Sequence, residues 1–66
     1  MRSPEQVTTR LSVLIGAYEI SGMKREQALA NASFVVMLEE VFGQTLNAAQ
    51  QRFVLKAVDA LLGASR

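Results

Sequence analysis

The chain has 66 residues, of which 50% are hydrophobic and 20% charged, and seven Lys and Arg against six Asp and Glu give a formal net charge of +1. Because cysteine and histidine are both absent, disulfides and a Cys/His zinc site are excluded as sources of stability, and the small net charge provides no overall field that would attract nucleic acid or an anionic membrane. We therefore expect one domain over residues 1–66 that is only marginally stable without a partner.

The first predicted helix covers about residues 4–21. Ser3 supplies a hydroxyl cap, Pro4 suits the first helical position, and Glu5 lies near the positive end of the helix dipole. Gly22 follows as a candidate for a left-handed C-terminal cap. The apolar residues recur at steps of three and four and draw one buried stripe. They are Val7, Leu11, Leu14, Ile15 and Tyr18.

The second predicted helix covers about residues 24–42, from the polar segment 24–27 to a glycine stop at Gly43. Its bulkiest apolar residues are expected to face the core. They are Phe34, Leu38, Val41 and Phe42.

The third predicted helix covers about residues 46–62. Thr45 or Asn47 is the candidate N-cap, and Asn47 and Gln50 have the spacing of a capping box. Its apolar residues follow the helical period, and Gly63 is expected to end it. No segment alternates with the period of two that strands require, and the connections are short, so the predicted fold class is all-α, a compact three-helix domain.

Each predicted helix also carries two aliphatic residues that lie off its main stripe, seven residues apart and therefore close to one side. These pairs are Val13 and Ile20, Leu29 and Val36, and Leu55 and Leu62. Single surface aliphatics are common and need no explanation, but their repetition on all three helices predicts a buried subunit interface. We therefore expect a homodimeric helical bundle, in which these six residues contact a second copy or another partner.

The groups that catalysis requires are scarce. Without histidine or cysteine, the candidates are a few carboxylates, some hydroxyls and one tyrosine. Glu39 and Glu40 are adjacent and therefore about 100° apart on a helix, so we expect them to diverge on a solvated face. The sequence has no glycine-rich phosphate loop and no calcium-binding loop. It predicts a protein that is no enzyme and binds no metal or cofactor.

Surplus apolar surface, weak charge and sparse chemistry favour a small regulatory protein that binds and modulates another protein, as an inhibitor, anti-activator or adaptor. Short chains of this kind are common among phage- and plasmid-encoded regulators, an analogy of size and composition alone. Leu29 and Val36 are the first candidates for the target surface. Glu39 and Glu40 would give it an acidic rim that selects a basic target.

DNA binding is the alternative function. The segment 17–28 resembles the middle of a helix-turn-helix unit, in which a glycine turn leads into a polar helix start. The candidate phosphate and base contacts are Lys24, Arg25, Gln27 and Asn31. Against it stand the long hydrophobic second helix, Glu26 among the proposed contacts, and a net charge near zero. A third alternative is a structural subunit of a larger helical assembly.

The longest uninterrupted apolar run, residues 34–38, is far shorter than the ~20 residues that span a bilayer, and the amino terminus lacks a basic-then-apolar signal layout. The sequence therefore predicts a cytoplasmic protein without a membrane partner.

Overall fold

Three α-helices make up most of residues 2–64, which are the residues that the computed structural model describes, with side chains over 2–63. They are α1 (Pro4–Ile20), α2 (Arg25–Phe42) and α3 (Ala48–Ala64). No strand occurs within residues 2–64. The predicted all-α class with three helices is confirmed, and the observed helix ends lie within two residues of the predicted ones.

Two helices begin with reciprocal capping boxes, which explains why their N-termini could be predicted. At α1, the Gln6 amide donates to Ser3 Oγ at 3.2 Å and the Ser3 amide donates to Gln6 Oε1 at 2.8 Å. At α3, Asn47 and Gln50 exchange the same pair of bonds at 2.9 Å each. Each box satisfies two amides that have no partner inside the helix, and the cap of α3 is Asn47, not Thr45.

Glycines in left-handed conformations follow α1 and α2. Gly22 has a φ of 111° and Gly43 a φ of 71°, values that side chains with a Cβ rarely adopt. Both predicted stops are confirmed. The predicted stop at Gly63 is wrong, because α3 continues through Gly63 to Ala64; a glycine inside a helix costs only about 1 kcal/mol relative to alanine and does not by itself end it.

The core lies mainly between α1 and α2. Its buried apolar members are Leu14, Tyr18, Ala28, Ala32, Val35, Val36 and Leu46. The predicted stripe of α1 is confirmed, since Leu14 and Tyr18 are buried and Val7, Leu11 and Ile15 pack against them. Ala28 and Ala32 are completely buried. Their small side chains allow the two helices to approach closely, and Leu14 and Tyr18 fill the remaining space.

The prediction for the core face of α2 is wrong in part. Val41 and Phe42 are 72% and 62% exposed, whereas Val36, expected on an outer surface, is only 5% exposed. The buried positions 28, 32, 35, 36 and 39 lie on one side of the helix. The bulky residues would hold α1 further away, so the face with two alanines is the one that packs against α1.

The attachment of α3 depends on its first half. Val54 and Leu55 pack against the core, and Gln51 donates to the Leu46 carbonyl at 3.0 Å and accepts from the Tyr18 hydroxyl at 2.9 Å. Further along, Leu62 is exposed. The second half of α3 therefore extends beyond the core and presents apolar side chains at the surface.

Candidate protein-interaction surface

The outer side of α2, opposite the core, carries a continuous apolar stripe. It consists of Ala30, Phe34, Met37 and Val41, at steps of four, three and four residues, and we call it the outer stripe. Met37 is 51% exposed and Val41 72% exposed, while Phe34 is partly buried. This spacing is that of the anchor residues with which amphipathic helices bind grooves or other helices.

A groove lies between the start of α2 and the length of α3, with a volume of about 580 Å³. We call it the α2–α3 groove. Met23, Gln27 and Asn31 line it on one side, and Leu55, Val58 and Leu62 line it on the other. The exposed charged residues Arg52, Lys56 and Asp59 also border it. The groove therefore combines an apolar floor with a charged rim on α3.

The six residues predicted to form an interface occupy different environments. Val13, Ile20, Leu29 and Leu62 are exposed, and Ile20 is 90% exposed. Leu55 is partly buried against the core, yet it lines the α2–α3 groove together with Leu62. Val36 is buried, and its expected place on a surface beside Leu29 is wrong because it faces α1 on the Ala28 side of α2. The structure thus brings together the pair on α3 and separates the pair on α2.

The residues considered for DNA contacts lie around the first turns of α2. Lys24, Arg25 and Gln27 are exposed, but Arg25 Nη1 is 3.6 Å from Glu19 Oε1. Asn31 is partly buried, and its amide donates to Met23 Sδ at 3.3 Å. Gln27 and Asn31 line the α2–α3 groove. Charge at this end of α2 is therefore partly offset within the chain, and two of the four side chains, Arg25 and Asn31, already have a partner.

Glu39 lies at the centre of a buried ion cluster, contrary to the expectation that it would be solvated. It is 1% exposed. Arg10 binds it in a bidentate manner, with Nε 3.2 Å from Oε1 and Nη2 2.9 Å from Oε2. Arg2 Nη2 donates to Oε1 at 2.9 Å, and the Leu46 amide donates to Oε2 at 2.9 Å. We call this group the Glu39 cluster; it joins the segment before α1, α1, α2 and the connection to α3.

The chemistry of the Glu39 cluster is structural. Burial by itself raises the pKa of the Glu39 carboxyl, but hydrogen bonds from Arg10, the Leu46 amide and Arg2 outweigh it and hold that pKa below its ordinary value. The carboxylate therefore stays ionised, and both of its oxygens are occupied. A general base needs a free oxygen facing a substrate, and Glu39 offers none. Its neighbour Glu40 is exposed, as expected, and accepts from Arg2 Nε at 2.9 Å.

Sequence reasoning missed two features of the surface and core. The outer stripe was missed because Phe34 and Val41 were assigned to the core. The series Ala28, Ala32 and Val35 could have indicated the true core face, because its small side chains fit a tight contact between helices. The Glu39 cluster left no local signal. Its arginines precede Glu39 by 37 and 29 residues, and only the packing of α1 on α2 brings them to it.

Other features of residues 2–64 and comparisons with known proteins assign no further site. Within this range no helix is long and apolar enough to cross a membrane, and no group of three or more acidic side chains is placed to hold a metal ion. No protein-family model matches the chain, and no curated protein or solved structure is significantly similar to it.

Proposed function

We propose that this chain is a small non-enzymatic regulatory protein that forms a homodimer and binds another protein through its apolar helix surfaces. The observation that supports it most is the extent of apolar surface. Among the side chains of residues 2–63, nine large hydrophobic residues are at least half exposed. They include Ile20 on α1, Met37 and Val41 on α2, and Phe53 on α3, so they are distributed over all three helices.

The total surface area of the chain is larger than expected for a monomer, which supports the proposal that part of it is covered by a partner. The chain exposes 4964 Å², whereas a folded monomer of 7.2 kDa is expected to expose about 4100 Å². The excess of roughly 800 Å² equals what one partner contributes to an interface of standard size. The Cα radius of gyration, 11.9 Å, likewise exceeds the ~10.8 Å expected for this length.

Two neighbouring surfaces are available for two kinds of contact. The α2–α3 groove has charges of both signs on its rim, which suits a second copy of the same chain. The outer stripe has the helical anchor spacing that suits a groove on a different protein. A homodimer would then present two outer stripes, one from each copy, to its target.

The DNA-binding alternative receives less support from the same structure. Arg25 lies beside Glu19, Asn31 is bonded to Met23, and Glu26 lies in the same first turn of α2. Within residues 2–63, Lys24 and Gln27 are the two of the four candidates without a side-chain hydrogen bond or ion pair. Specific DNA binding draws much of its affinity from several phosphate contacts, and two residues supply too few.

Light scattering after size exclusion tests the homodimer. At micromolar concentration we expect a mass twice the 7.2 kDa of the chain, because the exposed excess of roughly 800 Å² is enough for a stable interface. On dilution, the average mass should decrease towards that of the monomer in one transition with a single midpoint concentration. A monomer at all concentrations up to 100 µM would contradict the proposal, and growth beyond the dimer would favour a structural assembly subunit.

A photoreactive amino acid at Met37 tests binding of another protein. In source cells, we expect this variant to crosslink to one distinct protein, because Met37 lies at the middle of the outer stripe. The same substitution at Thr9, an exposed residue of α1, is the matched control and should give no such product. The protein identified must also bind the purified chain, and Val41→Asp must weaken that binding. A crosslink to the second copy alone would contradict the assignment of this stripe to a target.

A further inference from the structure

The rim of the α2–α3 groove carries a charge pattern that complements itself. Arg52, Lys56 and Asp59 follow one another at steps of four and three, so they lie on one flank of α3. All three are exposed, and none has an ion-pair partner within residues 2–64. The two cations precede the single anion along the helix. An antiparallel copy of α3 can therefore present its anion to Lys56.

We propose that α3 of a second copy occupies the α2–α3 groove, antiparallel to the α3 of the first copy and related to it by a two-fold axis near Ala57 and Val58. This inference rests on the proposed homodimer and specifies the surface that forms it. In an antiparallel pair, side chains on the same flank face each other across the seam. Lys56 of each copy then lies opposite Asp59 of the other, and the two-fold axis repeats the contact.

The apolar residues of α3 fit the same arrangement. Leu55 and Leu62 lie seven residues apart on the groove side of α3. With the axis near Ala57 and Val58, Leu55 of one copy lies within one helical turn of Leu62 of the other, again twice. Leu62 is 56% exposed and Leu55 partly buried in the single chain. The second copy would thus cover the part of α3 that the core leaves uncovered.

The length and exposed surface of α3 are also compatible with packing against the α3 of a second copy. A helix of 17 residues is about 25 Å long, and its second half is held by little of its own chain. Helices in proteins are stabilised mostly by packing of their apolar face, so burial of Leu55, Val58 and Leu62 against a second helix would stabilise α3 itself. The excess surface of roughly 800 Å² matches one side of a standard interface.

Charge exchange between copies tests the arrangement. Lys56→Asp should weaken the dimer about tenfold, because two attractive contacts become repulsive, and Asp59→Lys should do the same. Mixing the two variants should restore a dimer at least as stable as the wild type. In that heterodimer one α3 carries Asp at positions 56 and 59 and the other carries Lys at both, so both cross-copy contacts are attractive. Sedimentation equilibrium measures each dissociation constant.

The mixture separates this contact from effects within one helix. Each single variant loses the attraction between positions 56 and 59 of its own helix, and mixing does not restore that attraction. Glu5→Lys on α1, an exposed position outside the groove, is the control and should leave the dimer unchanged. Circular dichroism checks that every variant keeps its helices.

The outcomes separate this inference from the proposed function. Variants that dimerise as the wild type does, or a mixture that remains monomeric, would overturn the groove as the dimer surface while the proposed homodimer stands. A monomeric wild type would overturn both. Weakening by each variant and recovery in the mixture would support the antiparallel α3 pair.

Discussion

Glu39→Gln is expected to destabilise the domain by about 3 kcal/mol or more, the cost of removing one partner of a buried ion pair. Arg10, which is only partly exposed, would keep its charge without a carboxylate partner. The amide group of glutamine would direct N–H donors at a position where Arg10 or the Leu46 amide already donates. A domain of 66 residues has a total stability of about 3–10 kcal/mol. The variant should therefore lose about a third or more of the domain's stability and unfold at a clearly lower urea concentration than the wild type.

The neighbouring carboxylate supplies a matched control. Glu40→Gln removes the same charge one residue away, but Glu40 is exposed and has one ion-pair partner, Arg2. Exposed ion pairs contribute little to stability, so this variant should unfold at nearly the wild-type urea concentration. Both are measured by circular dichroism at one fixed protein concentration, because dimerisation makes stability depend on concentration. If Glu39→Gln unfolded at the same urea concentration as Glu40→Gln, the central role of the Glu39 cluster would be disproved.

The helices could be predicted from the sequence because their ends depend on neighbouring residues. Ser3 with Gln6 and Asn47 with Gln50 exchange capping bonds three residues apart, and Gly43 ends α2 by its own conformation. The core face of α1 could be predicted because only one side of this helix carries closely spaced large apolar residues. Local chemistry of this kind is visible in one sequence.

The rotation of α2 could not be predicted in the same way. This helix has two apolar faces, each with helical steps of three and four residues, one built on Ala28, Ala32 and Val35 and the other on Phe34, Met37 and Val41. Hydrophobicity alone favours the larger residues. The structure buries the smaller ones because close approach of α1 depends on side-chain volume at the contact, and volume at a contact is known only once the partner helix is in place.

Which residues of α2 were predicted to lie at the surface depends on the assumed rotation of this helix. Exposure of Leu29 and Leu62 was correctly predicted, but Val36 was placed on the surface and Met37 was left unassigned. The two differ by one residue and therefore by about 100° around the helix. The predicted surface pair is therefore wrong on α2, whose core face was assigned wrongly. The predicted exposed residues are correct on α1, whose core face was assigned correctly.

Acidification is expected to destabilise the protein through Glu39. The pKa of this carboxyl is lower in the folded chain than its ordinary value of 4.5. A carboxyl whose folded pKa is depressed contributes stability that is fully present above the unfolded pKa and is lost as pH falls through the folded pKa. The unfolded chain binds the proton first in this range, so falling pH favours unfolding. Between pH 5 and the folded pKa, the urea midpoint should therefore decrease.

Comparison with a variant assigns that decrease to Glu39. In the wild type, the extra slope from one carboxyl is at most about 1.4 kcal/mol per pH unit, and Glu39→Gln, studied at low temperature where it retains its fold, should lack that contribution. Urea midpoints of both proteins are measured at half-unit steps from pH 6 to pH 3. Parallel curves for the two proteins would mean that protonation of Glu39 does not drive acid unfolding. Curves that converge as pH falls would show that the carboxylate holds α1, α2 and the α3 connection together only while it is ionised.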